Sequence, residues 1–423
     1  MRGRPEPHPL LLAALLMALI ALRVPQIVIS PRFWAEEGTV YLANALTLSP
    51  LHALIRPELG YISLLANLAS LIATWLPLPA AALAPLTVSL VAQTGMMLVI
   101  HRATRATFHE LGAPNPNVAA ALVTALLMTA TTLEVWLNTI NLQFWAVTMS
   151  AALLAAPCRN PVARPVLVTF AALNGLGTLF LAPFFLLRAL NLPRGIWPTA
   201  AHSRRADWAT VAGLTLAGLV QIAVFLPNLA QSDRFLAPRP LKGLEVIFLK
   251  APFIAGDGAV FKLIGLVALI ALIVVWRKRG VPRAVLWRIV VPVLLYGALA
   301  TLGSLGMRGA GRYAIPVEFA LFVVLAALTF VPVRGGKCIA NSWQARCANA
   351  WLAAAFLALH IVAGPQMRGI IDTHWPSWRA AVAAAQNGHV TGQPIVADHR
   401  WDVDLPASLL VGAAASGGDI LPR

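Results

Sequence analysis

Long apolar runs separated by short polar connectors recur along almost the whole chain. They cover roughly residues 10–29, 60–76, 82–100, 118–133, 142–156, 166–190, 209–227, 258–276, 286–305, 313–331 and 349–364. A helix needs about 20 mainly apolar residues to cross a hydrocarbon core ~30 Å thick, and most of these runs approach that length. Lipid offers no partner to backbone N–H and C=O groups, so spanning runs must be helical. The pattern therefore predicts an all-α, polytopic transmembrane helical bundle with about 10–12 membrane segments. The connectors are rich in Pro, Gly and Arg: Asn115-Pro116-Asn117, 157–165, 193–205 and 276–283. Such residues stop regular structure. The run 166–190 is interrupted by Gly175, Gly177 and Pro183, which predicts a hairpin around Asn174-Gly175 rather than one straight span. After Gly364 the apolar pattern lapses. Residues 1–364 read as a transmembrane domain with a first outer loop at 31–60. Residues 365–423 read as a small extracytoplasmic C-terminal segment, too short and too rich in Gly and Ala to build a large core.

Composition sharpens this picture. The chain is 59% hydrophobic and only 11% charged, whereas soluble domains carry about 25% charged residues. An ordinary soluble protein is excluded. A net charge of +16 would suggest nucleic acid in a soluble chain, but here the basic residues fall in clusters between apolar runs, the pattern that orients a membrane protein. The partner implied is membrane lipid, with no nucleic acid.

Placing the basic connectors inside puts 101–117, 157–165, 188–206, 277–283 and 333–348 in the cytoplasm and 228–257, 306–312 and the tail outside. This works if 60–76 lies along the outer surface or dips in without crossing. Arg2 and Arg4 precede a first apolar run that lacks a small-residue cleavage site, so it reads as an uncleaved first span with a cytoplasmic amino end. Cys158, Cys338 and Cys347 make no metal spacing and no even disulfide framework. The localisation this implies is a multi-pass membrane protein with a cytoplasmic amino end and the functional face outside.

The candidate chemistry collects on that outer face. Residues 32–38 read Arg-Phe-Trp-Ala-Glu-Glu-Gly. They place the adjacent carboxylates Glu36 and Glu37, with Arg32 and Trp34, where the first run emerges into water. Arg56, Glu58 and Tyr61 follow in the same loop. Glu134 closes a later run, with Asn138, Asn141, Gln143 and Trp145 behind it. Arg308 and Arg312, in Met-Arg-Gly-Ala-Gly-Arg-Tyr before Tyr313, break the basic-inside pattern. Charges at a membrane edge are functional-site candidates. The competing reading makes Glu36 and Glu37 helix-start acids in a solvated loop and pairs Glu58, Glu134 or Glu318 with an arginine for packing.

Carboxylates and guanidinium groups at one membrane face suit glycosyl transfer from a polyprenyl phosphate. A carboxylate takes the acceptor's proton and a guanidinium fork holds the phosphate oxygens. In the tail, His374, Trp375, Trp378, His399 and Trp401 read as interface anchors or as a lid. Gln93, Thr94 and His360 read as interhelical hydrogen bonders.

These motifs resemble the GT-C superfamily of integral-membrane glycosyltransferases, which carry an acidic pair in the first outer loop and a further acid in the next. Glu36-Glu37 matches the first by position and Glu134 the second. Gly311-Arg312-Tyr313 resembles the Arg-Tyr that often opens a late span in that family. More narrowly, Phe33-Trp34-Ala35-Glu36-Glu37-Gly38, Leu59-Gly60-Tyr61 and Glu134 through Asn141-Leu142-Gln143-Phe144-Trp145 are similar to a group of uncharacterised bacterial multi-pass proteins. That group typically has Trp-Ala-Glu-Asp-Gly, so Glu37 stands where Asp is usual, and which acid is the base stays open.

The resemblance implies an inverting glycosyltransferase of the cell envelope, using a polyprenyl-phosphate sugar donor and a glycan or lipid acceptor. In some such enzymes the acids hold a divalent metal, Mg or Mn, and in others they do not. Two other classes remain open: a multi-pass transporter or flippase for a lipid-linked or small solute, and a non-catalytic membrane protein.

Overall fold

The computed structural model describes residues 8–58, 60–129, 135–158, 160–198, 201–229, 247–248, 282–303, 310–332 and 377–386. They are mostly helical, with a two-residue antiparallel ladder beside the helices. Among the described residues, four helices are long and apolar enough to cross a membrane: Leu78–Glu110, Arg204–Pro227, Arg283–Thr301 and Arg312–Phe330. The sequence predicts more spans than these. Its runs at 258–276 and 349–364 lie outside the described residues.

The chain divides into two compact units: residues 1–94, 133–142 and 368–423 form one, and residues 95–132 and 143–367 the other.

The first unit opens with α1 (Pro9–Arg23) and α2 (Pro25–Ile29). Pro25 disfavours helix at the residue before it, and Val24 accordingly leaves the helical region at φ −133°. Leu16 and Ile20 of α1 are buried, while Leu10, Leu11, Leu15, Leu19 and Leu22 are exposed. A helix apolar on its exposed side as well belongs in lipid. A π-helical turn, Glu37–Leu42, leads through α3 (Ala43–Thr47) to α4 (Pro50–Ile55).

Strands β1 (Pro57–Glu58) and β2 (Tyr61–Ile62) then pair Pro57 with Ile62 and Glu58 with Tyr61. Gly60, at φ 86°, makes their turn. Next, α5 (Leu64–Ala73) has ten residues, seven of them buried. At about 15 Å it is too short to cross a bilayer. The chain continues into α6 (Leu83–Glu110).

The second unit holds α7 (Pro116–Met128), α8 (Leu142–Ala155), α9 (Ala163–Ala172), α10 (Ala182–Ala189) and α11 (Ala201–Leu229). Later in the chain come α12 (Val291–Gly303) and α13 (Ile315–Phe330). Almost every side chain of α8 is buried, the signature of a central helix.

On α11, the residues Asp207, Thr210, Leu214, Ala217 and Gln221 are buried. Their alternating three- and four-residue spacing makes one stripe, and the helix packs on α9 and α10. Its opposite side exposes Trp208, Leu216, Leu219, Ile222 and Leu226. A face this apolar turned away from the protein fits lipid and not water. Segment 163–189 folds back on itself: α9 ends before Asn174, Gly175 takes φ 126°, and a 3-10 turn (Leu176–Leu181) leads into α10. A Cβ on Gly175 would lie 2.6 Å from Gln143 Oε1, so that position admits only glycine. The last described helix, α14 (Trp378–Gln386), belongs to the first unit.

Candidate functional site

The acidic motif is built on an irregular stretch between α2 and the π-helical turn. Phe33 is fully buried and meets the edge of Trp378 at 4.9 Å between ring centroids. Trp378 also donates from its backbone N–H to Pro31 O (3.1 Å) and from its indole N–H to Leu78 O (2.7 Å). It is 4% exposed, so Trp378 is a core residue that pins the approach to the motif and not a bilayer anchor. Its dry, hydrogen-bonded setting suits an indole. His374, Trp375, His399 and Trp401 lie outside the described residues.

After Phe33 the chain makes a strained turn. Ala35 has φ 45°, a left-handed conformation that costs an L-residue about 1–2 kcal/mol. Burial alternates along the turn: Phe33, Ala35 and Glu37 are buried, while Arg32, Trp34 and Glu36 are half-buried. The two adjacent acids are thereby separated in role. Glu37, 1% exposed, spends both carboxylate oxygens inside the protein. One accepts the Trp34 N–H at 2.8 Å. The other accepts the Thr139 N–H at 2.6 Å and the Thr139 hydroxyl at 2.5 Å. Burial pushes the Glu37 carboxyl up to about 7, against the hydrogen bonds from Thr139 and Trp34, with the Glu36 charge adding to the rise. Glu36 keeps its side chain partly accessible, flanked in sequence by Trp34 and Arg32.

The rest of the first loop closes on the same motif. Glu58, on β1, accepts from Asn44 Nδ2 at 2.5 Å and lies 3.9 Å from Arg56 Nε. Arg56 is 55% exposed, so this pair contributes less than about 1 kcal/mol. Burial raises the Glu58 carboxyl, partly offset by Asn44 and Arg56. Asn67 of α5 donates to Leu54 O and Arg56 O, each at 2.9 Å, and so fixes the approach to β1. The buried Tyr41 phenol is raised well above its usual range by burial, then by the charges of Tyr61, Glu58 and Glu36. Tyr41 therefore lies within electrostatic reach of both Glu36 and Glu58.

The second motif joins the first through Thr139. In segment 135–142, Leu137 takes φ 53°, a second left-handed L-residue. Asn138 and Asn141 are each 1% exposed. Asn138 Oδ1 accepts the Asn141 N–H at 3.0 Å, which ties the segment to itself. Glu134 lies outside the described residues. Among the described residues no three His, Cys, Asp or Glu side chains are grouped closely enough to hold a metal ion. Glu37 is a poor metal ligand as it stands, because its oxygens already face three donors.

No protein-family model matches the chain, and no curated protein is detectably similar to it.

In the second unit, Arg312 and Tyr313 lie on a 3-10 turn (Ala310–Ala314) ahead of α13. The Arg312 guanidinium is 5.9 Å from the Tyr313 ring centroid, at the outer reach of a cation–π contact. Tyr313 packs edge-on against the buried Phe144 at 4.8 Å. Glu318, fully buried in α13, has no hydrogen-bond partner on either oxygen among the described residues. Arg312 therefore does not neutralise Glu318, which removes that pairing from the sequence alternatives. Arg308 lies outside the described residues.

Sequence reading also missed a buried ionic cluster in this unit. Asp207 Oδ1 accepts from Arg164 at 2.6 Å and Arg188 at 2.8 Å, with every partner under 5% exposed. Arg164 also donates to Ala156 O at 2.6 Å, and Arg188 to Leu154 O and Ala156 O. Arg288 pairs with both oxygens of Glu110 at 2.7 and 2.9 Å and donates to Ala155 O and Ile196 O. The last carbonyls of α8 lack helical partners and carry the negative end of the helix dipole. Arginines from three other segments satisfy them. The only sequence signal was that these arginines stand in connectors, where charge is expected for orientation alone.

Proposed function

We propose that the chain is an integral-membrane glycosyltransferase of the GT-C type. It would move a sugar from a polyprenyl-phosphate donor to an extracytoplasmic acceptor, a cell-envelope glycan or lipid. The observation that carries this reading is the bonding of Glu37 to Thr139, which joins the acidic motif to the segment following Glu134. Those are the two stretches that the resemblance pairs. Because Glu37 has both oxygens occupied, Glu36 takes the role of base. It accepts the proton of the acceptor hydroxyl as that oxygen attacks the anomeric carbon. The bond to the phosphate oxygen breaks as the new glycosidic bond forms, and a single in-line displacement inverts the centre. Arg32 and Trp34 stand beside Glu36 to contact phosphate or sugar, and Arg312 is the candidate clamp for the lipid phosphate.

The proposal carries the finer topology with it: about 10–12 membrane segments, the first loop and tail outside, and a bacterial cytoplasmic membrane. A transporter reading draws on one observation, the carboxyl of Glu318 in a span-length helix, unpartnered among the described residues, since an intramembrane acid is a functional candidate in its own right.

The test is transfer from polyprenyl-phosphate sugars in membranes containing the protein. Glu36→Gln should lower turnover by about 10²–10⁴-fold, the contribution of a proton-transfer group. Arg312→Lys should also lose most activity, because an ammonium offers no planar fork. Full turnover in Glu36→Gln sinks the assignment of the base, and no transfer by the wild type with any lipid-linked sugar sinks the transferase reading.

A further inference from the structure

Segment 135–142 has no regular structure before α8, yet it is held at three consecutive odd positions by side chains distant in sequence. Gln93 of α6, fully buried, donates from Nε2 to Val135 O at 3.0 Å and accepts the Leu137 N–H on Oε1 at 3.3 Å. One amide thus plays the part of a neighbouring strand, satisfying a carbonyl and an N–H two residues apart. Glu37 supplies the next point, taking the Thr139 N–H and hydroxyl. Between these anchors Leu137 is held at φ 53°. Ala35, at φ 45°, is held on the other side by the Trp34 N–H bond to Glu37. Strained residues persist only where the surroundings over-determine them, and they gather where geometry serves function. The elements packed against the Glu37 turn are α3 and α5, and neither carries a charged residue. The charge of Glu37 therefore has no packing partner there, and its donors come from residues 34 and 139.

We propose that Glu37 and Gln93 are a pair of positioning residues that clamp segment 135–142 against the acidic loop. They hold Glu36 and the end of the chain next to Glu134 in the geometry that transfer requires. The activity part of this inference rests on the transferase reading; the clamp itself does not.

The full-length protein in detergent or nanodiscs tests it by backbone hydrogen exchange and by kinetics together. Gln93→Met should speed exchange at Leu137, and Glu37→Gln at Trp34 or Thr139, whichever N–H then faces the amide nitrogen, each by about tenfold, as expected for loss of a hydrogen bond. A Gln at 37 keeps one acceptor oxygen but turns an amide N–H toward a donor, so it should break at least one of the three contacts.

Because Gln93→Met leaves two backbone groups unpaired and can misfold, a milder pair carries the same test. Thr139→Val removes only the hydroxyl bond, and Thr139→Ser restores it. Transfer by Thr139→Val should fall about tenfold in kcat with donor KM within about threefold, and Thr139→Ser should recover it. Exchange unchanged at Leu137 in folded Gln93→Met, and at both Trp34 and Thr139 in folded Glu37→Gln, overturns the clamp. Faster exchange with full turnover in all four variants overturns its positioning role. A wild type that transfers no sugar overturns the transferase reading alone, and the exchange results then decide the clamp by themselves.

Discussion

At the scale of single residues, the decisive fact is that two neighbouring glutamates live in different media. Glu37 is sealed against Thr139 and Trp34, while Glu36 is half-buried. This has a consequence for pH. The Glu37 carboxyl stands at about 7 in the folded protein against 4.5 for the free side chain. Between those values the folded state binds one proton more than the unfolded state, so stability falls as pH rises. The stabilising contribution is complete below about 4.5 and lost above about 7. At 1.36 kcal/mol per unit it amounts to on the order of 3 kcal/mol. Thermal unfolding of wild type and Glu37→Gln across pH 4.5–8 should show that slope in the difference between them. Parallel curves would mean that Glu37 titrates alike in both states.

Among the elements, the hairpin 163–189 and helix α11 make the most constrained contact. Arg164 at the start of the hairpin and Arg188 near its end bind one oxygen of Asp207, so its two arms begin and end together. Gly213 of α11 faces Thr169 of α9 so closely that a Cβ there would lie 1.9 Å from the threonine hydroxyl oxygen. This close approach is the way small residues let helices pack in lipid. Breaking a buried ion cluster by removing one partner costs about 3–5 kcal/mol, because it strands the others. Asp207→Asn should therefore lower the thermal midpoint of the purified protein far more than removal of the exposed Arg56–Glu58 pair. Equal small effects would show that the two arginines find compensation without Asp207.

For the whole molecule, the ends of α6, α8 and α10, the starts of α9 and α11, and Arg288 on the π-helical turn Leu286–Val290 meet in this cluster. Segment ends that share one buried network share one side of the second unit. Those same connectors hold the arginines that resist translocation. The expected arrangement is that Asn115, exposed at the start of α7, labels only from the cytoplasm. Ser49, exposed before α4, should label from outside. Single cysteines at these positions, in a background lacking Cys158, Cys338 and Cys347, would report it in intact cells with an impermeant reagent. Outside labelling of Asn115 would reverse the orientation of the second unit.

Much of this protein is written locally in its sequence. Apolar runs and Pro/Gly connectors determine the helical, lipid-facing character, because lipid leaves the backbone no alternative to helix. Gly175 marks the fold-back because a left-handed turn excludes side chains. Phe33 through Gly38 stand out by chemistry alone. Pairing over long separations is not written there. Nothing local distinguishes Glu36 from Glu37, Trp378 from an interfacial tryptophan, or Arg164 and Arg188 from orienting charges. Only the tertiary structure, by setting Thr139 against one acid, Phe33 against one indole and Asp207 between two guanidinium groups, decided which of these side chains are sealed inside. The reason is physical: burial and hydrogen-bond partnership belong to the folded neighbourhood, and that neighbourhood is assembled by hydrogen bonds between residues from 19 to 300 positions apart.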